Sequence, residues 1–581
     1  MNRSSLVAIA AAFAPAFAPA LLSAQTVATV ETVTIVPVPA SSVLPLKHTP
    51  EPTTPAITAQ DLMTRLYIFA DDSMMGREAG TLGNVKGTDY IASQIKQIGL
   101  VPAGDNGTYF QTIPLKTRSV SPSSSLGFGG VPLKFGTDWV ASTPTAFSNT
   151  TLPVIYGGTL GDSAHMLPPG AAAGKLVVFR MPADASPRAL RGAARSVEGA
   201  AAVAIVGVDQ FMPLIARPST FVDDPSNAPP TAPKPTIVIS TTAAPQLFTT
   251  PWDQLTPGAA GKTASVNIAM NIVPVPFPAR NVVGILPGSD PKLRGEYVAV
   301  GAHNDHIGMN NHPVDHDSLR IFNHVVRPGG AEQGGKQATA EEQTQVNAQL
   351  AAWRAAHPNS MRPDSIANGA DDDGSGSVAV LEIAQKMASL NPKPKRSTVF
   401  VWHVGEEKGL LGSAYYTDHP TVPRDSIVAQ LNIDMIGRGD AWDVTGVTKE
   451  GVPTRGSTDY VQLIGSRRLS TELGNLVESV NTTGKHNLKF DYSLDANGHP
   501  LNIYCRSDHY EYARYGIPIT FFTTGGHSDY HQVTDEPEYI DYQHMARVAN
   551  LVEDVAVNVG NLDHRIVVDQ TKPDPHGSCR Q

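Results

Sequence analysis

The rhythm of the chain after Asn281 constrains its fold more than any other feature. Apolar runs of strand length, at 297–300, 398–401 and 517–522, alternate with segments of helical period such as 377–390. That alternation predicts an α/β sheet.

Upstream the texture differs. Residues 148–273 carry short Val/Ile runs punctuated by Pro and Gly, including 174–179 and 201–206, and are read as an inserted β-rich domain. Two helices are expected over 58–100, the first capped by Thr58 or Asp61, the second marked by Tyr90, Ile91, Ile95 and Ile98 at helical spacing. With 581 residues, two or more domains are expected. The resulting division is a signal peptide at 1–24, a linker at 25–57, a first part of the main domain at 58–147, the insert at 148–273, the rest of the main domain at 274–575 and a tail at 576–581. A polar, histidine-containing interruption at 310–367, with a helix expected over 339–356 from its Ala, Glu and Gln content, is either a lid or a disordered insert.

Arg3, an apolar run broken by Pro15 and Pro19, and Leu22-Ser23-Ala24 read as an export signal, so the mature protein is expected in the periplasm or the medium. Loss of Arg3 moves the formal charge from −10 to −11, and no Lys/Arg block stands out, so nucleic acid is not an expected partner. No later stretch is apolar and long enough to span a bilayer. Cys505 and Cys579 form one disulfide or remain two thiols.

Five groups of acids and histidines fall at the ends of expected strands or at a helix start, where open α/β sheets place their sites. They are His303 with Asp305, the run Asp371, Asp372 and Asp373, the pair Glu406 and Glu407, Asp434, and His531. If these converge, their like charges require cations; imidazole and carboxylate donors together suit zinc, and a carboxylate shared by two ions is the layout of a two-metal hydrolase. Duller accounts exist for each. The Asp run can simply cap a helix, and an isolated Glu-Glu is usually solvated, although this pair leaves an apolar strand directly. An EF-hand frame would need acids at Gly369 and Val380. His312, His316, His324 and His357 are read as ordinary surface or core histidines.

Segments 301–306, 369–376, 405–413, 432–437 and 530–531, in this order, resemble the zinc-dependent M28 peptidases. The likeness extends to 76–81, to 507–509 and to the β-rich insert, which resembles a protease-associated domain. It implies an α/β fold with a mixed central sheet flanked by helices, and two zinc ions per chain, with His303 and Asp434 on one, Glu407 and His531 on the other, and Asp372 as the bridge. Glu406 becomes the general base and Tyr530 a hydrogen-bond donor to the oxyanion. His527 is a rival to His531, and Asp305 is expected to orient His303. The implied function is an exported exopeptidase acting on peptides, an aminopeptidase first. A carboxypeptidase or dipeptidase would need a cation such as Arg438 or Arg506 for the substrate carboxylate. A binding protein without catalysis and a single-zinc glutaminyl cyclase are the remaining alternatives.

Overall fold

The computed structural model describes residues 44–581 apart from 161, 163–166, 169, 183–196, 228–233 and 359–360. The expected signal peptide and most of the expected linker lie outside the described residues.

Nine strands form the central sheet: β1 (Val101–Pro102), β2 (Phe110–Ile113), β3 (Ala279–Leu286), β4 (Tyr297–His303), β5 (Ser397–His403), β6 (Ile427–Ile433), β7 (Tyr460–Ile464), β8 (Lys489–Asp491) and β9 (Ile519–Thr523). Their order is β1-β3-β5-β4-β6-β9-β7-β8, with β2 also paired to β3. The inner four, β5-β4-β6-β9, are parallel, and they meet antiparallel neighbours at β3 and β7. The sheet is therefore mixed, as the resemblance implied, within the α/β class that the alternation predicted.

The strand runs are apolar throughout because both faces are covered. Val298, Val300, Ala302, Phe400 and Trp402 pack on one side with helices Ala59–Phe69, Leu82–Ile98, Gly376–Ser389 and Tyr542–Asn561. The alternate residues Ala299, Val399 and Val401 meet Tyr416 and Tyr512 of two short helices on the other. Thr58 caps the first helix, accepting the Asp61 N–H at 3.1 Å, while the Asp61 carboxylate takes the Thr54 hydroxyl at 2.8 Å.

Between β2 and β3 the chain leaves the sheet and builds a β-rich region with its own core. Its five-stranded sheet includes the runs Leu176–Arg180 and Ala202–Val206, paired in parallel, and strands from Leu115 onward join its sheets. Ile113 and Ala279, the residues on either side of this excursion, are register partners, so its two ends return to one place.

The described part of 310–367 is folded. Strand Met309–Asp315 pairs antiparallel with Pro363–Ile366, and between them lie helices His316–Val326 and Ala340–Ala356. The second begins at a capping box, Thr339 with Glu342, which starts it where composition placed it. Among the described residues no helix is long and apolar enough to cross a membrane.

Candidate metal centre

The four parallel strands deliver their chemistry at adjacent carboxyl ends. His303 is the last residue of β4, Glu406 and Glu407 follow β5, Asp434 follows β6, and His527 and His531 lie in the loop after β9. The turn Ala370–Ser375, at the head of helix Gly376–Ser389, supplies Asp371, Asp372 and Asp373 to the same crevice.

Two clusters result, and they share Asp372. In the first, His303 Nε2 is 3.1 Å from Asp372 Oδ1 and 3.6 Å from Asp434 Oδ1. In the second, His306 Nδ1 lies 2.7 Å from Glu407 Oε1 and 3.8 Å from Asp372 Oδ2. The expected His531 stands beside this cluster, with Nε2 3.0 Å from Asp372 Oδ2 and 2.9 Å from Glu407 Oε2. Sequence reasoning gave His306 no role. Its signal was present, a second histidine three residues beyond His303 at a strand exit. Its ring lies against Gly369, whose φ is +56° and where a Cβ would stand 2.5 Å from His306 Cγ.

Adjacent residues of the Asp run have different fates. Asp373 does cap the helix, accepting the N–H of Gly376 at 2.9 Å, and also those of His303 and Met435. Asp371 accepts the Gly437 N–H at 2.6 Å and faces His527 Nε2 at 3.3 Å. Only Asp372 turns to the clusters. His527 is thereby committed to Asp371, while His531 faces the shared carboxylate.

Neighbours fix the donors. His303 Nδ1 lies 3.0 Å from the Asp305 carbonyl, which can only accept, an arrangement that favours the proton on Nδ1 and a lone pair on Nε2. The expected orienting carboxylate of Asp305 stands further off, at 3.8 Å, and instead accepts the N–H groups of Gly405 at 2.7 Å and Glu406 at 3.2 Å. It thus shapes the turn that presents the glutamate pair. Ser507, in the segment singled out by sequence, donates to Asp434 Oδ2 at 2.7 Å. Two anchors were not foreseen. Asp535 accepts the Asp371 and Asp372 N–H groups. Arg77, wholly buried, donates to the carbonyls of Phe69, Asn368 and Gly369.

The donor set fits metal. His303 Nε2, His306 Nδ1, Asp372 Oδ2 and Glu407 Oε1 are buried and approach their neighbours without hydrogen-bond geometry, as atoms do when aimed at a common third centre. Two imidazole-and-carboxylate groups joined by one aspartate are the ligand set of a binuclear zinc site. Burial, with Asp434, Glu407 and Asp508 nearby, raises the Glu406 carboxyl well above the usual range, although His303 opposes this. Burial likewise keeps the Tyr530 phenol protonated; its ring stacks on His531 at 3.9 Å.

Residues 281–556 match the family model of Peptidase family M28. The matched region contains His303, Asp372, Glu406, Glu407, Asp434 and His531, the residues that the resemblance implied as zinc ligands and general base. Leupeptin-inactivating enzyme 1 of Streptomyces exfoliatus is 40% identical over 96 residues, 15% of this chain and 22% of that protein. Leucine aminopeptidase 1 of Paracoccidioides brasiliensis (strain Pb03) is 32% identical over 208 residues, 34% of this chain and 48% of that protein. The chain thus spans less than half the length of these curated relatives. Among solved structures, an aminopeptidase from Aneurinibacillus sp. strain AM-1 aligns with a TM-score of 0.47 at 18% identity, over 89% of this chain and 97% of that one. A zinc aminopeptidase from Bacillus subtilis gives 0.45 at 16%, over 87% and 96%.

Both arginines considered for a substrate carboxylate are occupied. Arg438 pairs with Asp443 and Asp529, each at 3.0 Å, and Arg506 with Glu332 of the 310–367 segment at 2.5 Å.

Proposed function

We propose that this chain is an exported two-zinc exopeptidase that removes residues from the amino end of peptides. The observation that carries the reading is Asp372, one carboxylate shared by two imidazole-and-carboxylate clusters beside Glu406 in the M28 region. In this reading His303 and Asp434 would hold one zinc, Glu407 and His531 the other, and Asp372 would offer an oxygen to each. Bound zinc would supply Lewis acidity toward a water molecule and a peptide carbonyl. Glu406 takes the proton of the attacking water and returns it to the leaving amine. The Tyr530 hydroxyl donates to the carbonyl oxygen as that oxygen gains charge.

The amino end is favoured over the carboxyl end because Arg438 and Arg506 are held in ion pairs, which leaves neither to receive a terminal carboxylate. The printed names of several relatives, leucine aminopeptidases, point the same way. Export agrees with the pairing of Cys505 with Cys579, since disulfides persist in oxidising compartments. The β-rich region serves as a protease-associated module, and residues 310–367 as a cover over the rim of the site, with Arg320 on Tyr539 at 3.8 Å.

Mass spectrometry of a peptide with two free ends, incubated with the zinc-loaded protein, tests this. Trimming from the amino end, abolished by N-acetylation and by chelator, is expected. Trimming from the carboxyl end moves the assignment to a carboxypeptidase, and an intact peptide in every sample supports a binding protein.

A further inference from the structure

Away from the Asp372 clusters, the described residues bring one more set of three ligand atoms together: a nitrogen of His316 and one oxygen each of Asp364 and Glu536 lie within 4.8 Å of one another. Three separate pieces of chain contribute. His316 opens the first helix of the 310–367 segment and Asp364 lies on its closing strand. Glu536 follows Asp535, whose carboxylate holds the Asp371 and Asp372 amides.

His316 is wholly buried, as a core histidine would be, but its ring is not satisfied there. Its Nδ1 faces Asp317 Oδ1 at 3.4 Å, its ring stacks on Tyr539 at 5.9 Å, and its Nε2 has no hydrogen-bond partner. A carboxylate behind one ring nitrogen and nothing on the other is how ligating imidazoles are oriented. The two acids are poorly matched as well. Asp364 Oδ1 accepts the Ile366 N–H at 3.0 Å, and Glu536 Oε1 shares the Asn368 amide with Asp72. Arg362 is paired with Glu538 at 2.8 Å, and among the described residues no Lys or Arg forms an ion pair with Asp364 or Glu536. Burial, with Glu538, Asp364 and Asp72 adding repulsion, raises the Glu536 carboxyl well above the usual range, and burial raises Asp364 too.

We propose that His316, Asp364 and Glu536 bind a third divalent cation, which clamps the 310–367 segment onto the loop that orders Asp372. One imidazole with two carboxylates suits zinc better than calcium or magnesium, which take oxygen donors, and leaves a fourth position for water. The competing arrangement is a protonated His316 that neutralises the acids unaided.

Zinc per chain, measured by plasma mass spectrometry after equilibration with zinc and removal of the loose excess, separates the two. Wild type is expected to hold three and His316→Ala two. Equal zinc in the two proteins overturns the site. Asp372→Ala keeps this readout independent of the dinuclear centre: if that centre were misassigned, His316→Ala would still remove one zinc while Asp372→Ala removed none. Should His316→Ala fail to fold, an anomalous difference map of the wild type at the zinc edge decides, with a peak among the three side chains expected and an empty map overturning the site. The third equivalent of zinc should also slow trypsin cleavage within 310–367; cleavage at the same rate with and without it overturns the clamp.

Discussion

Asp535 holds the bridging aspartate by its backbone: its Oδ2 accepts the Asp372 N–H at 3.1 Å, and the same carboxylate accepts the Asp371 N–H at 3.0 Å. The turn that aims Asp372 is thus fixed from a loop more than 160 residues away. Asp535→Ala should weaken zinc binding about 10–100-fold, the usual cost of removing a residue that orients a ligand. Chelator competition measures it, and unchanged affinity would show that the turn holds itself.

Glu406→Gln should retain both zinc ions of the shared site and lose about 10²–10⁴-fold in turnover, the typical contribution of a general base. The metal count and the rate must be taken on one preparation. Loss of zinc along with activity would make Glu406 a ligand, and near-normal turnover would remove it from the chemistry.

Arg77 closes three carbonyls with one planar fork and stacks over Phe69 at 4.3 Å. Arg77→Met removes the donor from the Phe69 and Asn368 carbonyls, while the Gly369 carbonyl keeps the Gly374 N–H at 3.1 Å, at a cost of about 3 kcal/mol. Lysine cannot reproduce the fork. Both variants should melt lower than wild type and bind zinc less tightly; a wild-type melting temperature and zinc affinity for Arg77→Lys would contradict this.

His509, fully buried and stacked on Phe521 at 4.7 Å, is pushed down to about 3 by burial from an ordinary value of 6.5. Its folded value lies below its unfolded one, so the unfolded chain binds the extra proton. The stability this group contributes is full above pH 6.5 and is lost as pH falls toward 3. His509→Phe keeps the stacked ring and removes the proton. Its denaturation midpoint should depend less on pH than the wild type's, by about 1.4 kcal/mol per pH unit below pH 6. Identical pH profiles would show that His509 protonates in the fold.

Sequence alone went far where the signal is local. The strands at 297–300 and 398–401 were legible because their apolar runs are unbroken, and the helix Ala340–Ala356 from its Ala, Glu and Gln content. Four of the five groups stood at strand exits and the Asp run at a helix start, and in a parallel sheet these lie along one edge. That named the region of the site, and the resemblance named its ligands.

What the sequence could not decide is direction between elements far apart in the chain. Spacing does not show that Asp371, Asp372 and Asp373 face three different partners, that His306 joins the second cluster, or that His527 is committed to Asp371. Nor does it show that Cys505 meets Cys579 across 74 residues, or that His316 is buried between two acids. Periodicity is set by neighbours within a few residues and survives in the sequence. Side-chain partners here are set by packing between segments tens to more than a hundred residues apart, and only the tertiary structure brings those together.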